Sequence, residues 1–381
     1  MSDTDYYDIV RSKMVLGPLV APKHKAVLGL LKIFWNEEEI QILTHFEPAD
    51  KWVTIKQLEE RTEIQRKEIK RILSRSVDLG TIARKMNKYC LEPLIPGIFE
   101  KYYQRGRDTQ ENQIKAAKLY RDVMKKVLPQ GVYENDYRIF RPLLPIESKE
   151  KLLIINKEFE VESQVFPYEV VTNLIENNEH FAVITCQCRL IGEMSGEPCE
   201  VAPAEMGCFI TGVGAQNAIE EGLVGARKLT KEEAIDFIKE TEKAGLVHNA
   251  IWDKGNESSV FICNCCGCHC GAIYPSNVLH LNEKQYAVQQ SNFAPQFNMD
   301  LCIKCETCFR KCPVGAIYHR FPLKSDSSDE EMVLREDKCI GCGICAVNCP
   351  KDAIKMMKVR DIEPPEKNLI GNKTFTELLQ E

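Results

Sequence analysis

The number and placement of its cysteines constrain this chain more than any other feature. Of 381 residues, 18 are cysteine, and all of them except Cys90 lie after residue 180. The acidic start of the chain lacks the apolar stretch of a secretory leader, so we expect a cytoplasmic, reducing location. In such a compartment, dense cysteines bind metal more often than they form disulfides. The sequence therefore predicts a metal-free front half and a metal-rich back half.

Composition narrows the class of protein. The net charge is −6, and 44% of the residues are hydrophobic against 28% charged, which is typical of a globular protein with a sizeable core. No apolar run approaches the roughly 18 residues that a membrane-spanning helix needs. So small a net charge gives no overall field that would attract the chain to nucleic acid or to an anionic membrane.

A repeated motif occupies the C-terminal region. Residues 300–317 and 337–354 both carry the pattern C-x2-C-x2-C-x3-C-P. The first copy holds Cys302, Cys305, Cys308 and Cys312, and the second holds Cys339, Cys342, Cys345 and Cys349. Three cysteines at this spacing on a tight loop reach one iron–sulfur cubane, whereas the fourth begins a short helix that points to a neighbouring cluster. Gly341 and Gly343 allow backbone amides to approach the sulfurs.

This pattern resembles bacterial-type ferredoxins with two [4Fe–4S] clusters, over roughly residues 296–358. The resemblance implies that one cluster is bound by Cys302, Cys305, Cys308 and Cys349, and the other by Cys339, Cys342, Cys345 and Cys312. A pair of structural zinc sites is the alternative. Zinc usually takes two separate pairs of cysteines rather than a run of three cysteines followed by a fourth and a proline.

Nine further cysteines follow two segments that read as buried strands, residues 181–185 and 259–262. These candidates for an additional metal centre are Cys186, Cys188, Cys199, Cys208, Cys263, Cys265, Cys266, Cys268 and Cys270. We favour one or two further [4Fe–4S] clusters. The alternatives are a structural zinc site and a thiol–disulfide exchange centre that uses the overlapping C-x-x-C pairs.

The choice of ligands among these nine stays open. One plausible set of four ligands consists of Cys186, Cys188, Cys199 and Cys208. The other five cysteines and His269 offer more ligands than a second set of four needs. One metal does not readily take both Cys265 and Cys266, because adjacent side chains of an extended backbone point to opposite faces. For Arg189 we expect a surface salt bridge, with donation to a cluster sulfur or to a carboxylate of a partner protein as the alternatives. Between the two groups, Thr230 and Glu233 form a capping box for a helix that Gly245 ends.

The front half has a different character. Three helices are predicted at residues 37–46, 55–61 and 65–75, the second of them capped by Thr54, and residues 81–91 alternate like a β-hairpin around an Asn-Lys turn. This order resembles a winged-helix domain over roughly residues 36–95. Residues 97–128 also read as helical, and Cys90 reads as a small buried apolar residue.

The winged-helix-like segment carries a local excess of positive charge. The basic residues are Arg66, Lys67, Lys70, Arg71, Arg75, Arg84, Lys85 and Lys88. They could contact DNA through the major groove. We favour a protein-docking module whose charges face solvent, because a fold does not by itself fix a function.

We therefore predict an α+β multidomain chain in five parts. These are a helical, winged-helix-like domain (1–130), a linker packed on the middle domain (131–165), a mixed α/β cysteine-rich metal-binding domain (166–295), a 2[4Fe–4S] ferredoxin domain (296–358) and a tail (359–381).

The cysteine motifs together resemble those of multi-cluster ferredoxin-like proteins from anaerobic bacteria and archaea. The resemblance implies electron transfer and names no substrate. We predict a protein that relays low-potential electrons to or within a larger oxidoreductase system, with redox proteins as partners. The alternatives are a redox-sensing regulator that binds DNA and an oxidoreductase whose middle cluster binds substrate. We assign no catalytic residue, because the sequence shows neither a nucleophile–histidine–acid grouping nor a phosphate loop.

Overall fold

The computed structural model describes residues 5–16, 19–49, 51–130, 138–149, 169–251, 261–278, 287–321, 330–365, 369–370 and 373–374. In these parts of the chain, every helix is too short or too polar to cross a lipid bilayer.

The front of the chain is a group of helices around one apolar core. Its helices are α1 (Tyr6–Lys13), α2 (Lys25–Phe34), α3 (Glu37–Leu43), α4 (Ile55–Thr62), α5 (Arg66–Asp78), α6 (Phe99–Arg105) and α7 (Gln110–Lys126). Strands β1 (Val15–Leu16) and β2 (Leu19–Val20) pair beside α1. The fully buried rings of Phe34, Tyr102 and Tyr120 pack together where α2, α6 and α7 meet. Burial of aromatic area on this scale is what holds such helices in place.

The segment predicted to resemble a winged helix has the expected order of elements. After α3, the chain forms strand β3 (Val53–Thr54), then α4 and α5, and then strands β4 (Ile82–Lys85) and β5 (Lys88–Leu91). The three strands form one sheet in the order β3–β5–β4. Thr54 caps α4 as predicted, and the structure shows in addition a capping box with Gln57. The hairpin turn lies at Met86 and Asn87, one residue earlier than expected, because Lys88 already pairs with Lys85. The assignment of this unit to the winged-helix family stays a prediction.

The helix predicted over residues 97–128 is two helices. Gly106 ends α6 in the left-handed conformation, with a φ of 59°, and Thr109 caps the start of α7. Glycine adopts positive φ without the steric cost that a side chain incurs. The predicted burial of Cys90 is confirmed, since its side chain is 2% exposed.

The cysteine-rich middle of the chain is built on a six-stranded antiparallel sheet. The strands are β6 (Phe140–Pro142), β7 (Phe181–Ile184), β8 (Cys208–Thr211), β9 (Arg227–Leu229), β10 (Val247–Ile251) and β11 (Phe261–Cys265), in the order β6–β10–β11–β8–β7–β9. The helices are α8 (Ile146–Lys149), α9 (Val171–Glu176), α10 (Gln187–Ser195), α11 (Gly212–Glu220), α12 (Lys231–Ala244) and α13 (Tyr274–Val278).

Two predictions for this region can be compared with the structure. The Thr230 capping box and the Gly245 stop of α12 are confirmed. Strand β11 continues through Cys263 and Cys265, so these cysteines lie on the strand rather than in the loop after it.

The C-terminal repeats form a compact unit with matching halves. Strand β12 (Phe293–Phe297) pairs with β15 (Ile354–Lys358), and β13 (Ile317–Arg320) pairs with β14 (Glu331–Leu334). Each repeat contributes one short helix, α14 (Thr307–Arg310) or α15 (Ile344–Val347). A last hairpin joins β16 (Leu369–Ile370) to β17 (Lys373–Thr374). The sequence also shows an acidic run at residues 325–331 and a short amphipathic stretch at residues 375–379, and most of the first and all of the second lie outside the described residues.

Candidate iron–sulfur and metal centres

The two C-terminal repeats enclose two cavities, each lined by four cysteines. Cys302, Cys305, Cys308 and Cys349 line the first cavity. Cys312, Cys339, Cys342 and Cys345 line the second. The last cysteine of each repeat thus reaches the cavity of the other repeat. Four thiols around a closed cavity supply the donor set that a [4Fe–4S] cubane takes.

Backbone amides in both repeats point at sulfur. The amide of Ala316 donates to Cys312 Sγ at 3.2 Å, and the amide of Ala353 donates to Cys349 Sγ at 3.3 Å. Hydrogen bonds of this kind stabilise negative charge on a ligand sulfur and raise the reduction potential of what it binds. The residues present therefore fit the clusters that the sequence predicts.

The two cavities differ in depth. Burial raises the pKa of Cys308 in the first cavity and of Cys339 in the second to about 11. Burial also raises the pKa of Cys342 and Cys345. In the first cavity the Thr307 hydroxyl lies 3.4 Å from Cys305 Sγ and lowers the pKa of that half-buried thiol. The second cavity is thus the more deeply buried of the two.

Six of the nine middle cysteines form a continuous chain of thiols. In order of contact these are Cys188, Cys186, Cys208, Cys263, Cys265 and Cys270. All six line one cavity of about 210 Å³ between the cysteine-rich sheet and the front helices. Strands β8 and β11, the start of α10 and the loop after β11 hold them there. We refer to this set as the six-cysteine group.

Two members of the six-cysteine group are poised to carry negative charge. Hydrogen bonds from Cys188 and Cys208 lower the pKa of Cys186 well below its usual value. Hydrogen bonds from Cys263 and Cys270 lower the pKa of Cys265 to about 5, and the Cys270–Cys265 Sγ distance is 3.0 Å. Thiolates crowded in this way need a cation to balance them, which is the setting of a metal or cluster site.

The other three cysteines form a second group, of which Cys266 also lines the cavity of the six-cysteine group. Cys199, Cys266, Cys268 and His269 offer ligand atoms that all lie within 4.8 Å of one another. The structure therefore does not bring the quartet Cys186, Cys188, Cys199 and Cys208 together, because Cys199 belongs to this second group. Cys265 and Cys266 enter different groups, as the alternation of side chains along an extended strand implies.

The expectation of a surface salt bridge for Arg189 is wrong. This side chain is fully buried and donates to the carbonyl oxygens of Pro203 at 3.1 Å, Asn264 at 2.7 Å and Met206. Nearby thiolates, that of Cys186 foremost, raise its pKa. A buried cation is costly unless hydrogen bonds and negative charge surround it. Arg189 thus connects the loop after α10 to strand β11 and offsets the charge of the nearby thiolates.

The six-cysteine group adjoins the second C-terminal cavity. Cys265 and Cys270 share one apolar core with Cys312, Cys339 and Cys342. The Asn277 side-chain amide donates to the carbonyls of Gly267 at 3.0 Å and Pro313 at 2.7 Å. A Cβ on Gly267 would lie 2.2 Å from the Pro313 oxygen. Sequence reasoning missed this contact, because nothing in the motif shows which loops pack face to face.

Three of the eight basic residues in the winged-helix-like segment are paired with acids. Arg75 donates to the buried Glu39 at 2.8 Å, Arg71 pairs with Glu68 at 2.6 Å, and Arg66 pairs with Glu59 at 3.4 Å. Lys67, Lys70, Lys85 and Lys88 are exposed. Charges neutralised within the protein contribute little to contacts with phosphates.

Comparison with known proteins agrees with the geometry of the C-terminal repeats. The family model described as "4Fe-4S binding domain" matches residues 295–318 and 332–355. Through this region the chain belongs to the 4Fe–4S ferredoxin family. The two motifs of its ferredoxin domain imply two [4Fe–4S] clusters. No solved structure matches the chain.

Several curated proteins are similar to the ferredoxin domain. Pyruvate synthase subunit PorD of Methanothermobacter marburgensis is 42% identical over 64 residues, which are 17% of this chain and 65% of that subunit. The same subunit of Methanocaldococcus jannaschii is 36% identical over 69 residues, 18% of this chain and 70% of that subunit. A ferredoxin of Rickettsia felis is 37% identical over 78 residues, 19% and 64% of the two chains. The chain thus spans less than two thirds of the length of the first and third of these relatives.

Proposed function

We propose that this protein relays electrons between a redox partner at its surface and the six-cysteine group in its interior, within a cytoplasmic oxidoreductase system. The observation that carries the proposal is the continuity of the apolar core. Cys312 belongs both to the core around the six-cysteine group and to the core around the first cavity. The three cysteine-lined cavities are therefore arranged in series through packed protein.

In this proposal each C-terminal cavity holds one [4Fe–4S] cluster on the four cysteines that line it. The six-cysteine group holds a further iron–sulfur cluster, and six thiolates exceed the four that a single cubane takes. Such clusters accept and donate single electrons when bound. The chain's own residues set the conditions for this transfer, through burial, amide hydrogen bonds to sulfur and the charge of Arg189.

The outer end of the series has the character of a docking surface. Ile303 lines the first cavity and is 56% exposed. Leu301, 51% exposed, and Phe309, 45% exposed, adjoin the ligand positions Cys302 and Cys308 along the chain. Exposed apolar residues close together mark contact sites more often than scattered ones do. Two of the relatives are named as subunits of pyruvate synthase, and for this chain we propose a larger oxidoreductase as the partner.

The front domain would take part in partner recognition. Its helix–helix–hairpin unit resembles a winged helix, three of its eight basic residues form ion pairs within the protein, and the net charge of −6 gives the chain no overall attraction to phosphates. We therefore propose protein docking rather than DNA binding for this unit. Binding of duplex DNA that weakens steeply with salt would contradict this.

The relay can be tested by interrupting the contact between its last two members. In Gly267→Ala the new Cβ displaces the Pro313 carbonyl, and in Asn277→Ala the two bridging hydrogen bonds are lost. Stopped-flow reduction with freeze-quench EPR, under anaerobic conditions, follows each cluster separately. We expect unchanged reduction of the ferredoxin clusters and several-fold slower reduction of the third centre. Gly29→Ala, which adds the same methyl group in α2, is the control.

Equal rates for the third centre in both loop variants and the control would contradict the relay. So would reduction of the third centre ahead of the ferredoxin clusters in the unaltered protein.

One observation favours a second candidate, an oxidoreductase that binds substrate at the six-cysteine group. The side of that cavity facing the front domain is lined by Leu16, Ile95, Phe99 and Met124, together with Glu100. Burial raises the pKa of Glu100 to about 7, so its carboxyl could donate a proton to an apolar substrate. A rate that depends on this proton would fall as the pH rises through about 7.

Cyanide is a suitable probe of this second candidate, because it binds iron that has an open coordination position. A change in the EPR signal of the third centre on addition of cyanide supports a substrate site. An unchanged signal supports a pure relay.

A further inference from the structure

The group formed by Cys199, Cys266, Cys268 and His269 differs from the other cysteine sites in its compactness. All four ligand atoms are mutually within 4.8 Å. The Cys199–Cys268 Sγ distance is 3.5 Å, and His269 Nδ1 lies 3.1 Å from Cys268 Sγ. Cys266 in turn forms hydrogen bonds with both of the other thiols. The four atoms therefore form a closed set, whereas the thiols of the six-cysteine group follow one another in a chain.

These separations suit one metal ion. Zinc binds cysteine sulfur at about 2.3 Å and histidine nitrogen at about 2.0–2.1 Å in a tetrahedron, which places the ligand atoms about 3.5–3.8 Å apart. A cubane binds each thiolate through a different iron, so its ligand atoms stand farther apart than those that share one ion. Three cysteines and one histidine are a common donor set of structural zinc sites.

The histidine is already oriented as a ligand. Its Nε2 lies 2.8 Å from the carbonyl oxygen of Glu197, and a carbonyl oxygen only accepts. Nε2 therefore carries the hydrogen, and in the neutral ring Nδ1 presents its lone pair to the three sulfurs. A histidine that binds metal usually donates its second ring N–H to a carbonyl or carboxylate in this way.

The surroundings hold this orientation in place. The Glu197 carboxylate accepts from Arg121 at 3.0 Å and from Lys125 at 2.6 Å, both on α7. Gly192 leaves room for the ring, since a Cβ there would lie 2.5 Å from His269 Cδ2. The nearby Arg189 guanidinium balances the negative charge that three thiolates leave after a divalent ion is bound. The loop from Gly196 to Gly207 contains no helix or strand. A metal ion bound to Cys199 would hold this loop in position.

We infer that these four residues bind a single structural zinc ion, separate from any iron–sulfur cluster. The ion fixes Cys199 of the loop after α10 to the loop after β11, and through Glu197 it connects the cysteine-rich domain to α7. The inference does not depend on the electron relay, because a zinc ion in a protein is not redox-active and takes no part in electron transfer.

The test is metal analysis of the full chain, purified anaerobically from cells supplied with zinc and iron. We expect about one zinc per chain in addition to iron and acid-labile sulfide. Cys268→Ser and His269→Ala should lose the zinc and keep the iron and sulfide, whereas His269→Cys should retain it. Cys90→Ala, which removes a thiol in the front domain, is the control. Gly192→Ala should weaken zinc binding about 10–100-fold by displacing the ring.

X-ray absorption at the zinc edge of the unaltered protein keeps the inference testable if a variant fails to fold. Three sulfurs at about 2.3 Å and one nitrogen at about 2.0–2.1 Å are expected. The inference is overturned by a protein without zinc, by zinc with four sulfur ligands, or by loss of iron and sulfide together in Cys268→Ser.

Discussion

The two ferredoxin repeats have the same backbone but different side chains at two equivalent positions. Lys304 and Glu306 of the first repeat have φ values of 56° and 60°, and Gly341 and Gly343 of the second have φ values of 70° and 74°. All four residues thus occupy the left-handed region. Side chains other than glycine incur a steric cost there, yet the first repeat accepts two of them.

The surroundings explain the difference. A Cβ on Gly341 would lie 2.2 Å from the Phe293 oxygen, and one on Gly343 would lie 2.9 Å from Pro145 and Ser148. The second repeat is covered by other parts of the chain, so only glycine fits. In the first repeat Lys304 reaches Glu330 at 3.0 Å and Glu306 reaches His319 at 2.9 Å near the surface. One copy of the motif therefore faces outward, and the other faces the interior.

The largest expected effect comes from adding a side chain at a glycine of the second repeat, which other parts of the chain cover. Gly341→Ala should lower the free energy of unfolding by about 2–5 kcal/mol, because left-handed strain of about 1–2 kcal/mol adds to overpacking of about 1–3 kcal/mol. Anaerobic denaturant unfolding with bound iron as a second readout measures it. The matched change Lys304→Gly should alter stability by less than about 1 kcal/mol. Similar losses in both variants would show that the two repeats are equally exposed.

The next effect concerns the outward surface. Ile303→Ala should weaken association with the redox partner by about 1–2 kcal/mol, a factor of about 5–30 in Kd. It is measured as the KM for electron transfer with a partner oxidoreductase. Reduction by methyl viologen, which needs no docking surface, should stay unchanged. Val359→Ala, at a residue that is 51% exposed, is the control, and an equal effect there would mean that the patch is not specific.

A smaller expected effect is a shift in the reduction potential of the first cluster alone. The Thr307 hydroxyl contacts Cys305, and the equivalent residue of the second repeat is Ile344. Loss of a hydrogen bond worth about 1 kcal/mol corresponds to about 40 mV for one electron. Thr307→Val should therefore lower the potential of the first cluster by about that amount, as measured by redox titration with EPR. Thr307→Ser keeps the hydroxyl and should leave the reduction potential of the first cluster unchanged. A shift in the reduction potential of the second cluster instead would contradict the assignment.

The smallest effect comes from the surface ion pair beside the first repeat. Lys304 and Glu330 are each about one third exposed, and pairs of this kind contribute at most about 1 kcal/mol. Lys304→Ala should lower the stability only slightly, by an amount that disappears at high salt. Thermal unfolding at two salt concentrations is the check. A loss that persists at high salt would mean that the side chain packs rather than pairs.

Particular residues show where sequence reasoning was sufficient and where it was not. The Thr54 cap and the Thr230 capping box were predictable, because the groups they need lie within three residues of each other along the chain. The break at Gly106 was missed, since helical periodicity continues on both sides of it. Arg189 was assigned to the surface because arginine is mostly exposed. It is buried and donates to carbonyls of the loop after α10 and of strand β11, and no local pattern shows that these segments meet at Arg189.

The sequence by itself determined the ferredoxin motifs and the excess of cysteines in the middle domain, because metal-binding loops are short and their ligands lie close together along the chain. Only the tertiary structure decided how the nine middle cysteines divide. Cys199 meets Cys268 across 69 positions of sequence, and β8 and β11 must pair before Cys208 and Cys263 become neighbours. A partition of this kind depends on which strands lie side by side, and spacing along the chain does not contain that information.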